Sequence, residues 1–194
     1  MSVRIYGNRE LKTLAGLETR PTPVRVRQAL FNVWQGRIEG CRWLDLCTGS
    51  GAMGAEALCR GASLVVGIER SSPACKIIES NWSKVVGTSQ VFRLIQGEVV
   101  QQLELLSGQQ FDRIYFDPPY AGELYQPVMS AIDKYQLLSV TGELAVEHSP
   151  DRSISLLPAT LATLTLCRHK SYGNTAISFY RSNPDSVEID RSEH

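Results

Sequence analysis

The sequence predicts an α/β fold in which helices cover both faces of a central, mostly parallel sheet, and two observations carry this prediction. From Arg42 onward, five short apolar segments alternate with helix-like segments, which is the order that successive βαβ units produce. Near the C-terminus, two segments of alternating apolar and polar residues flank Tyr172-Gly173-Asn174, as strands flank the turn of a β-hairpin. Together these segments predict a seven-stranded sheet that ends in one antiparallel hairpin.

The strands are predicted where apolar and β-branched residues form short runs, at Trp43–Cys47, Leu64–Glu69, Val91–Gln96, Phe111–Phe116 and Glu143–Glu147. The helices predicted between them are Ala52–Arg60, Pro73–Val85, Val99–Leu106 and Leu124–Tyr135. The hairpin strands are Leu161–Lys170 and Thr175–Arg181. In such a sheet the carboxyl ends of the parallel strands share one edge, and ligands bind there.

The first forty residues predict an extension to the main domain at 41–182. Ser2–Tyr6 is predicted as a short strand of this extension. Arg20-Pro21-Thr22-Pro23 then breaks the chain, and Thr22 can cap a helix that runs from about Val24 to Gln35. Residues 183–194 form a polar tail that we expect to be disordered.

Composition excludes several classes of protein. Apolar residues make up 43 % of the 194 residues and charged residues 21 %, which supports a packed core and excludes a disordered chain. The sequence has no apolar run of about 18 residues and no charged-then-apolar leader, so we expect a cytoplasmic protein, and we expect a monomer. The cysteines lack C-x-x-C or zinc-type spacing, which predicts reduced, buried thiols and no metal site: Cys41, Cys47, Cys59, Cys75 and Cys167.

Charge is unevenly distributed, although the formal net charge is zero. Through Arg42 the chain has eight basic and three acidic residues, and the acidic excess lies in the remainder. This basic segment predicts an anionic partner at the N-terminal extension. The alternative is a solvated surface helix.

The segment WLDLCTGSGAMGAEAL, residues 43–58, predicts a strand, a glycine-rich loop and a helix. Gly49, Gly51 and Gly54 have the G-x-G-x-x-G spacing, which by itself is typical of dinucleotide sites. However, Asp45 lies four residues before the first glycine, and Glu69 ends the next predicted strand. S-adenosyl-L-methionine (SAM) carries a cationic amino group that suits Asp45 and a ribose diol that suits Glu69. The alternative is a structural turn that Asp45 caps.

Three neighbours of these residues complete the predicted cofactor site beside the glycines and acids, namely Thr48, Ser50 and Arg70. Gln96-Gly97-Glu98-Val99 follows the third predicted strand of the main domain, again at the ligand-binding edge. There we expect the Glu98 carboxylate to meet the adenine amine, with the Val99 N–H beside the ring.

The segment FDPPY, residues 116–120, predicts the reaction chemistry. A pair of prolines cannot continue a central strand, so the chain leaves the sheet in a stiff, extended loop. That loop presents the Asp117 carboxylate and the Pro118 carbonyl, which can accept the two N–H groups of an amine, and Pro119 stiffens it. Tyr120 is placed to stack on a base that has left its own stack.

These residues together resemble the class I SAM-dependent methyltransferases, and Asp117-Pro118-Pro119-Tyr120 resembles the box of those that methylate exocyclic or amide nitrogens. The N-terminal pattern Arg20-Pro21-Thr22 … Arg25 … Arg27 … Phe31-Asn32 resembles the signature of RsmD-type 16S rRNA (guanine-N2) methyltransferases. The resemblance runs from about Val3 to Arg181. It implies a Rossmann-like fold, SAM as the cofactor, and methyl transfer to a guanine N2 amine of 16S rRNA, within an assembled small ribosomal subunit.

In this interpretation the arginines of the extension contact RNA phosphates, namely Arg4, Arg20, Arg25 and Arg27. Three alternatives stay open. The same fold could methylate DNA adenine or protein glutamine, a non-catalytic RNA-binding assembly factor could keep a relict pocket, or the glycine loop could serve an NAD-dependent oxidoreductase. Trp82 is predicted as a core residue, and His148 and His169 as structural or solvent-facing.

Overall fold

The computed structural model describes residues 2–13, 24–119, 123–150 and 157–183. Its strands are β1 Ser2–Ile5, β2 Arg9–Lys12, β3 Arg42–Leu46, β4 Leu64–Glu69, β5 Val91–Gln96, β6 Phe111–Phe116, β7 Leu138–His148, β8 Leu164–Tyr172 and β9 Thr175–Ser182. Its helices are α1 Val24–Val33, α2 Ala52–Cys59, α3 Ser72–Val85, α4 Val99–Glu104 and α5 Tyr125–Lys134. The described part of the predicted C-terminal tail is Asn183 alone.

Seven strands form the central sheet in the order β5-β4-β3-β6-β7-β9-β8. The pairs among β3 to β7 are parallel, and β9 pairs antiparallel with both β7 and β8. The chain moves outward from β3 through β4 to β5, then returns to place β6 on the other side of β3. The topological switch point therefore lies between the carboxyl ends of β3 and β6, where ligands bind in open α/β sheets.

The predicted strands β4, β5 and β6 have the observed bounds, because each is a short segment rich in apolar residues that a turn or loop follows. Strand β7 is longer than predicted and begins at Leu138, since its register against β6 shifts between Phe111 and Arg113. The strand β2 was not predicted, and it pairs antiparallel with β1 in a separate two-stranded sheet. Its sequence RELK is polar, so no apolar pattern marks it.

Helices cover both faces of the sheet, as predicted. One apolar cluster joins α1, α2 and α3 to the face that includes Trp43, and the other joins α4 and α5 to the face that includes Leu44. In the first cluster, Phe31 of α1 stacks on Trp43 with ring centroids 5.4 Å apart, and Trp34 meets the same ring edge-on at 5.4 Å. The N-terminal helix thus shares its core with the main sheet.

The β1–β2 hairpin packs Ile5 and Leu11 into this core, and interactions of Arg60 and Asn81 add to its attachment. The Arg60 guanidinium lies between two rings, 4.3 Å from the Tyr6 centroid and 4.7 Å from the Phe31 centroid. At the other end, the fully buried Asn81 side chain accepts from the Lys12 N–H at 3.0 Å and donates to the Lys12 carbonyl at 2.8 Å. The orientation of the hairpin is therefore fixed at both ends.

Burial was predicted for Trp82 and for the cysteines, and a structural or solvent-facing position for His148. Trp82 is fully buried, as predicted. His148 is also buried, and its Nε2 lies 2.9 Å from the Ser178 hydroxyl. The expectation of buried thiols is wrong for Cys167, which lies exposed on the edge strand β8. None of the helices in the described ranges is long and apolar enough to cross a membrane.

Candidate active site

The predicted site residues gather at the switch point, around the loop that follows β3. The backbone leaves β3 in a left-handed conformation at Cys47, with φ of 60°, and returns to it at Gly49 and Gly51, with φ of 58° and 75°. A positive φ is uncommon for a residue other than glycine, so Cys47 marks a sharply turned segment. This turn brings the loop to the carboxyl edge of the sheet and directs the chain into α2.

Two of the glycines are required by the indole ring of Trp82 on α3. A Cβ at Gly54 would lie 2.3 Å from the ring, and one at Gly67 of β4 would lie 2.5 Å from it. The indole Nε1 also donates to the Gly51 carbonyl at 2.8 Å. Gly54 is buried beneath this ring, so its absence of a side chain serves helix packing and not the approach of a ligand.

Asp45 lies beneath the loop, with 1 % of its surface exposed. Its Oδ2 accepts from the Gly54 N–H at 2.9 Å, so it caps α2 from the preceding strand. Burial raises the pKa of the Asp45 carboxyl well above its ordinary value, the Gly54 N–H opposes that rise, and the charge of Glu69 adds to it. The structure thus gives Asp45 a capping role, and its interaction with the amino group of SAM stays a prediction.

Glu69 at the end of β4 joins three segments of the edge. Its Oε2 accepts from the Gly49 N–H and its Oε1 from the Ser71 N–H, both at 2.8 Å, and its carbonyl accepts from the Gly97 N–H at 3.0 Å. A carboxylate oxygen has two acceptor positions, so each oxygen keeps capacity for a hydroxyl of a ligand. Glu69 is 9 % exposed, which leaves a small part of it open to solvent.

Thr48 and Ser50 lie within the loop itself. The Thr48 hydroxyl lies 3.0 Å from the Asp45 carbonyl and 3.1 Å from the Ile68 carbonyl, so its hydrogen-bonding serves the backbone. The Ser50 carbonyl accepts from the Asn81 amide at 3.4 Å. Because Asn81 also holds Lys12, one buried side chain links the glycine loop to the N-terminal hairpin, a link between distant segments that sequence reasoning missed.

The charge around this loop is predominantly negative. Burial raises the pKa of the Cys47 thiol to about 12, and the carboxylates of Glu69, Asp117 and Asp45 contribute to that rise, with only Arg70 opposing it. The carboxylates of Glu69 and Asp117 near Cys47 favour a positively charged ligand. A pyrophosphate would be repelled here, which argues against the dinucleotide alternative.

The loop after β6 faces the glycine loop across the switch point. The Asp117 N–H donates to the Leu46 carbonyl over 3.5 Å, which joins the two loops at their bases. Asp117 is half-buried, Pro118 is buried and Pro119 is exposed. Tyr120 lies outside the described residues. The carboxylate and the proline carbonyl thus lie next to the loop that was predicted to bind the cofactor.

Behind this loop, the buried Glu147 of β7 is a further residue that sequence reasoning did not identify. The Tyr115 hydroxyl donates to its carboxylate, and the Tyr125 hydroxyl donates to its carbonyl at 3.2 Å. Because Tyr115 precedes the loop on β6 and Tyr125 begins α5, these contacts brace both ends of the segment that contains Asp117.

The remaining predicted cofactor residues lie farther along the same edge. Glu98 is exposed after β5 and Val99, the first residue of α4, is 5 % exposed. Arg70 is exposed directly after Glu69. These positions agree with a ligand that extends along the ends of β3, β4 and β5.

The predicted RNA-contacting arginines fall into different environments. Arg4 and Arg25 are exposed, and Arg20 lies outside the described residues. Arg27 is only 2 % exposed, and its Nε lies 2.7 Å from the Glu56 Oε2, while its Nη2 donates to the Arg4 carbonyl. A phosphate contact at Arg27 is therefore wrong, because this side chain pairs inside the core and fastens the hairpin to α1 and α2.

Comparison with known proteins agrees with this arrangement. The family model described as "Conserved hypothetical protein 95" matches residues 3–181. The Bacillus subtilis (strain 168) protein named "Putative rRNA methyltransferase YlbH" is 34 % identical over 177 residues, which is 89 % of this chain and 93 % of the relative. The Haemophilus influenzae "Ribosomal RNA small subunit methyltransferase D" is 28 % identical and covers 92 % of this chain and 91 % of its own.

A solved Escherichia coli structure, "Putative methyltransferase yhhF", superposes with a TM-score of 0.81 at 27 % identity, over 94 % of this chain and 99 % of that one. The Rossmann-like sheet with its antiparallel end is therefore confirmed, as is the resemblance to RsmD-type proteins. The chain belongs to the Conserved hypothetical protein 95 family, the family of the RsmD-type methyltransferases.

Proposed function

We propose that this protein transfers a methyl group from SAM to the exocyclic N2 amine of a guanine in 16S rRNA of the small ribosomal subunit. The observation that carries the proposal is the pairing of two loops at the switch point. One is an acidic glycine loop that suits a cation, and the other presents a carboxylate and a carbonyl that suit an amine. The names of the relatives support an rRNA substrate.

The residues at the edge fit SAM in charge and in hydrogen bonding. Bound here, SAM would supply a methyl group on a positively charged sulfur, and the nearby carboxylates of Glu69 and Asp117 would favour that charge. Glu69 keeps acceptor capacity for the ribose hydroxyls, and a Cβ at Gly49 would meet only the Cys47 carbonyl within 4 Å, at 3.8 Å. Glu98 and Val99 would hold the adenine. Asp45 acts from beneath, through the loop that it caps.

The chain's contribution to the reaction is to orient and polarise the amine. The lone pair of an exocyclic amine is delocalised into the base, so it becomes nucleophilic only when both N–H groups are held out of the ring plane. The Asp117 carboxylate would accept one N–H and the Pro118 carbonyl the other. Such acceptors are aimed at the positive charge that grows on nitrogen, and holding the two reactants in line supplies further acceleration. Tyr120 would stack on the extruded base.

The substrate contacts would come from positive charge outside this acidic edge. Arg4 and Arg25 are exposed on the hairpin and on α1, the basic segment that the sequence predicts to meet an anion. They would contact phosphates, together with Arg20. Phosphate contacts position a nucleic acid without choosing its sequence, so the choice of guanine depends on the fold of the RNA and on the assembled subunit.

Asp117→Asn tests the proposed chemistry. The change keeps the shape of the side chain but replaces one acceptor oxygen with an amide donor. We expect methyl transfer to fall by about 10²–10³-fold, the usual effect of removing one such electrostatic contact. SAM binding, measured by calorimetry, should stay close to that of the wild type. Glu123→Gln is the matched control, since it removes one exposed carboxylate beside the same loop.

The substrate is tested with small subunits from a strain that lacks the enzyme. Labelled SAM is offered with those subunits, with naked 16S rRNA, with duplex DNA and with protein, and the methylated site is mapped by mass spectrometry. Methylation of a guanine N2 in the subunit is the expected result. Methylation of DNA or protein alone would overturn the proposed substrate, and near-normal transfer by Asp117→Asn would overturn the mechanism.

A further inference from the structure

A cavity lies at the amino edge of the sheet, which is the edge opposite the candidate active site. Its volume is about 420 Å³, and its lining residues are Arg37, Arg113, Val140, Thr141, Gly142, Arg181 and Ser182. Strands of about six residues separate it from the active-site loops, a distance of about 20 Å. Three of its lining side chains are arginines, although the methyl transfer described above uses none of them.

Arg113 is the most constrained of the three. It is 6 % exposed on β6, with its guanidinium 5.8 Å from the Trp34 ring centroid. Its Nη1 donates to the Asp112 carbonyl, but its buried Nε has no hydrogen-bond partner among the described residues. Buried donors of folded proteins are nearly always paired, so an unpaired guanidinium donor at a cavity wall suggests a ligand that the protein alone does not supply.

The carboxylates around this cavity are already engaged. Glu143 is 2 % exposed and accepts from the Trp34 Nε1 at 2.6 Å and from the Arg181 Nε at 2.8 Å. Arg168 lies 4.0 Å from the same carboxylate. Asp112 accepts from the Arg42 N–H at 2.8 Å and from the Ser139 hydroxyl at 3.0 Å.

Positive charge therefore exceeds negative charge at this edge. Arg37, Arg113 and Arg181 line the cavity and Arg168 lies beside it, whereas the carboxylates there are those of Glu143 and Asp112. Burial lowers the pKa of Arg113, the charge of Glu143 opposes that shift, and the charge of Arg37 adds to it. The guanidinium remains protonated in any case, because arginine does not lose its proton in proteins. Arg37 is exposed at the rim, and Arg181 has half of its side chain in solvent.

We propose that this cavity binds a phosphate group of the RNA backbone, through Arg37, Arg113 and Arg181. Planar guanidinium groups with several donors match the oxygens of a phosphate. An extended polyanion is favoured over a small anion because the basic surface continues along the edge, where Arg42 and Lys134 line a neighbouring cavity of about 490 Å³. The choice of RNA rests on the proposed function, whereas the phosphate chemistry does not.

The phosphate chemistry is tested by NMR of the full chain with labelled arginine, titrated with inorganic phosphate. We expect the Nε–H signals of Arg113 and Arg181 to shift in a saturable way, and the shifts to be lost in Arg37→Glu. Arg93→Glu is the control, because Arg93 is exposed on the distant edge strand β5 and carries the same charge. An absence of shifts in the wild type, or shifts that both variants lose, would overturn the site.

The RNA source is tested by the salt dependence of binding to a single-stranded RNA oligonucleotide and to the small subunit. Loss of one phosphate contact should reduce the slope of log K against log salt by about one, so Arg37→Glu should do this and Arg93→Glu should not. If phosphate binds but both variants bind RNA alike, the assignment to RNA is overturned in favour of a free phosphate compound. Neither measurement depends on methyl transfer. A failure of this phosphate site can therefore be distinguished from a failure of the proposed methyltransferase activity.

Discussion

Gly54→Ala is expected to destabilise the fold by forcing the Trp82 ring away from α2. An alanine Cβ at this position would lie 2.3, 2.9 and 3.0 Å from three ring carbons. Carbon atoms prefer a separation of about 3.5 Å or more, so the ring would have to retreat by about 1.2 Å. The ring is fully buried, and a Cβ at Gly67 would also lie against it, so it has little room to move.

Three effects set the size of the loss. Overpacking of a core costs about 1–3 kcal/mol, and a ring that moves also lengthens the bond from its Nε1 to the Gly51 carbonyl, worth about 1 kcal/mol. Alanine recovers about 1 kcal/mol because it favours helix over glycine. The net expectation is a loss of about 2 kcal/mol of unfolding free energy, or about 4–8 °C in Tm for a chain of this length.

Urea and thermal denaturation of Gly54→Ala, Trp82→Phe and the double variant measure this clash directly. Phenylalanine lacks the outer ring that meets the Cβ, so the double variant should lose less stability than the sum of the single variants. Gly87→Ala is the comparison, since its Cβ would come no closer than 3.0 Å to another atom, the Gln90 Oε1, and should therefore cost less. Additive losses in the double variant would refute the explanation, and so would a Gly54→Ala variant as stable as wild type.

Two substitutions and one labelling experiment probe the active-site loop. Because the pKa of Asp45 is raised in the folded state, its stabilising contribution falls as pH rises above about 4. Asp45→Asn should therefore raise Tm by an increasing amount from pH 4 to 8 while weakening SAM binding, as melts and calorimetry would record. Asn81→Ala should cost about 1–3 kcal/mol and speed hydrogen exchange at the Lys12 amide. Cys47, with a pKa of about 12, should react with iodoacetamide at pH 8 about 10³-fold more slowly than an unfolded thiol, by mass spectrometry.

The sheet was predictable from the sequence because most side chains of its central strands are buried, so that each strand is a short run rich in apolar residues. The two loops at the switch point were predictable for a related reason, since glycine and proline punctuate the chain where β3 and β6 end. The strand β2 has neither signal. Its polar residues pair with β1 away from the main sheet, so no periodicity distinguishes them from a loop.

Arg27 could have been placed in the core from the spacing alone. It precedes Leu30, Phe31 and Trp34 by three, four and seven residues, which is the spacing of one helix face, and those three side chains are fully buried. Its charge led to the opposite prediction. The partner that makes its burial possible, Glu56, lies 29 residues away on α2, and only the packed structure brings the two together.

The carboxyl and amino edges of the sheet differ in charge. This difference explains how a candidate active site rich in carboxylates could act on RNA, which is a polyanion. The carboxylates that favour a cationic cofactor also repel RNA phosphates, so the carboxyl edge cannot supply most of the affinity for a substrate. Positive charge must then lie elsewhere on a chain whose formal net charge is zero. In the proposals above, the exposed arginines of the hairpin and α1 would provide it on one side, and the arginine-lined cavity would provide it at the amino edge. On this account the basic surfaces bind the phosphates of the RNA, and only an extruded base enters the acidic edge. There the uncharged amine of the base meets Asp117, while the phosphates stay away from the carboxylates.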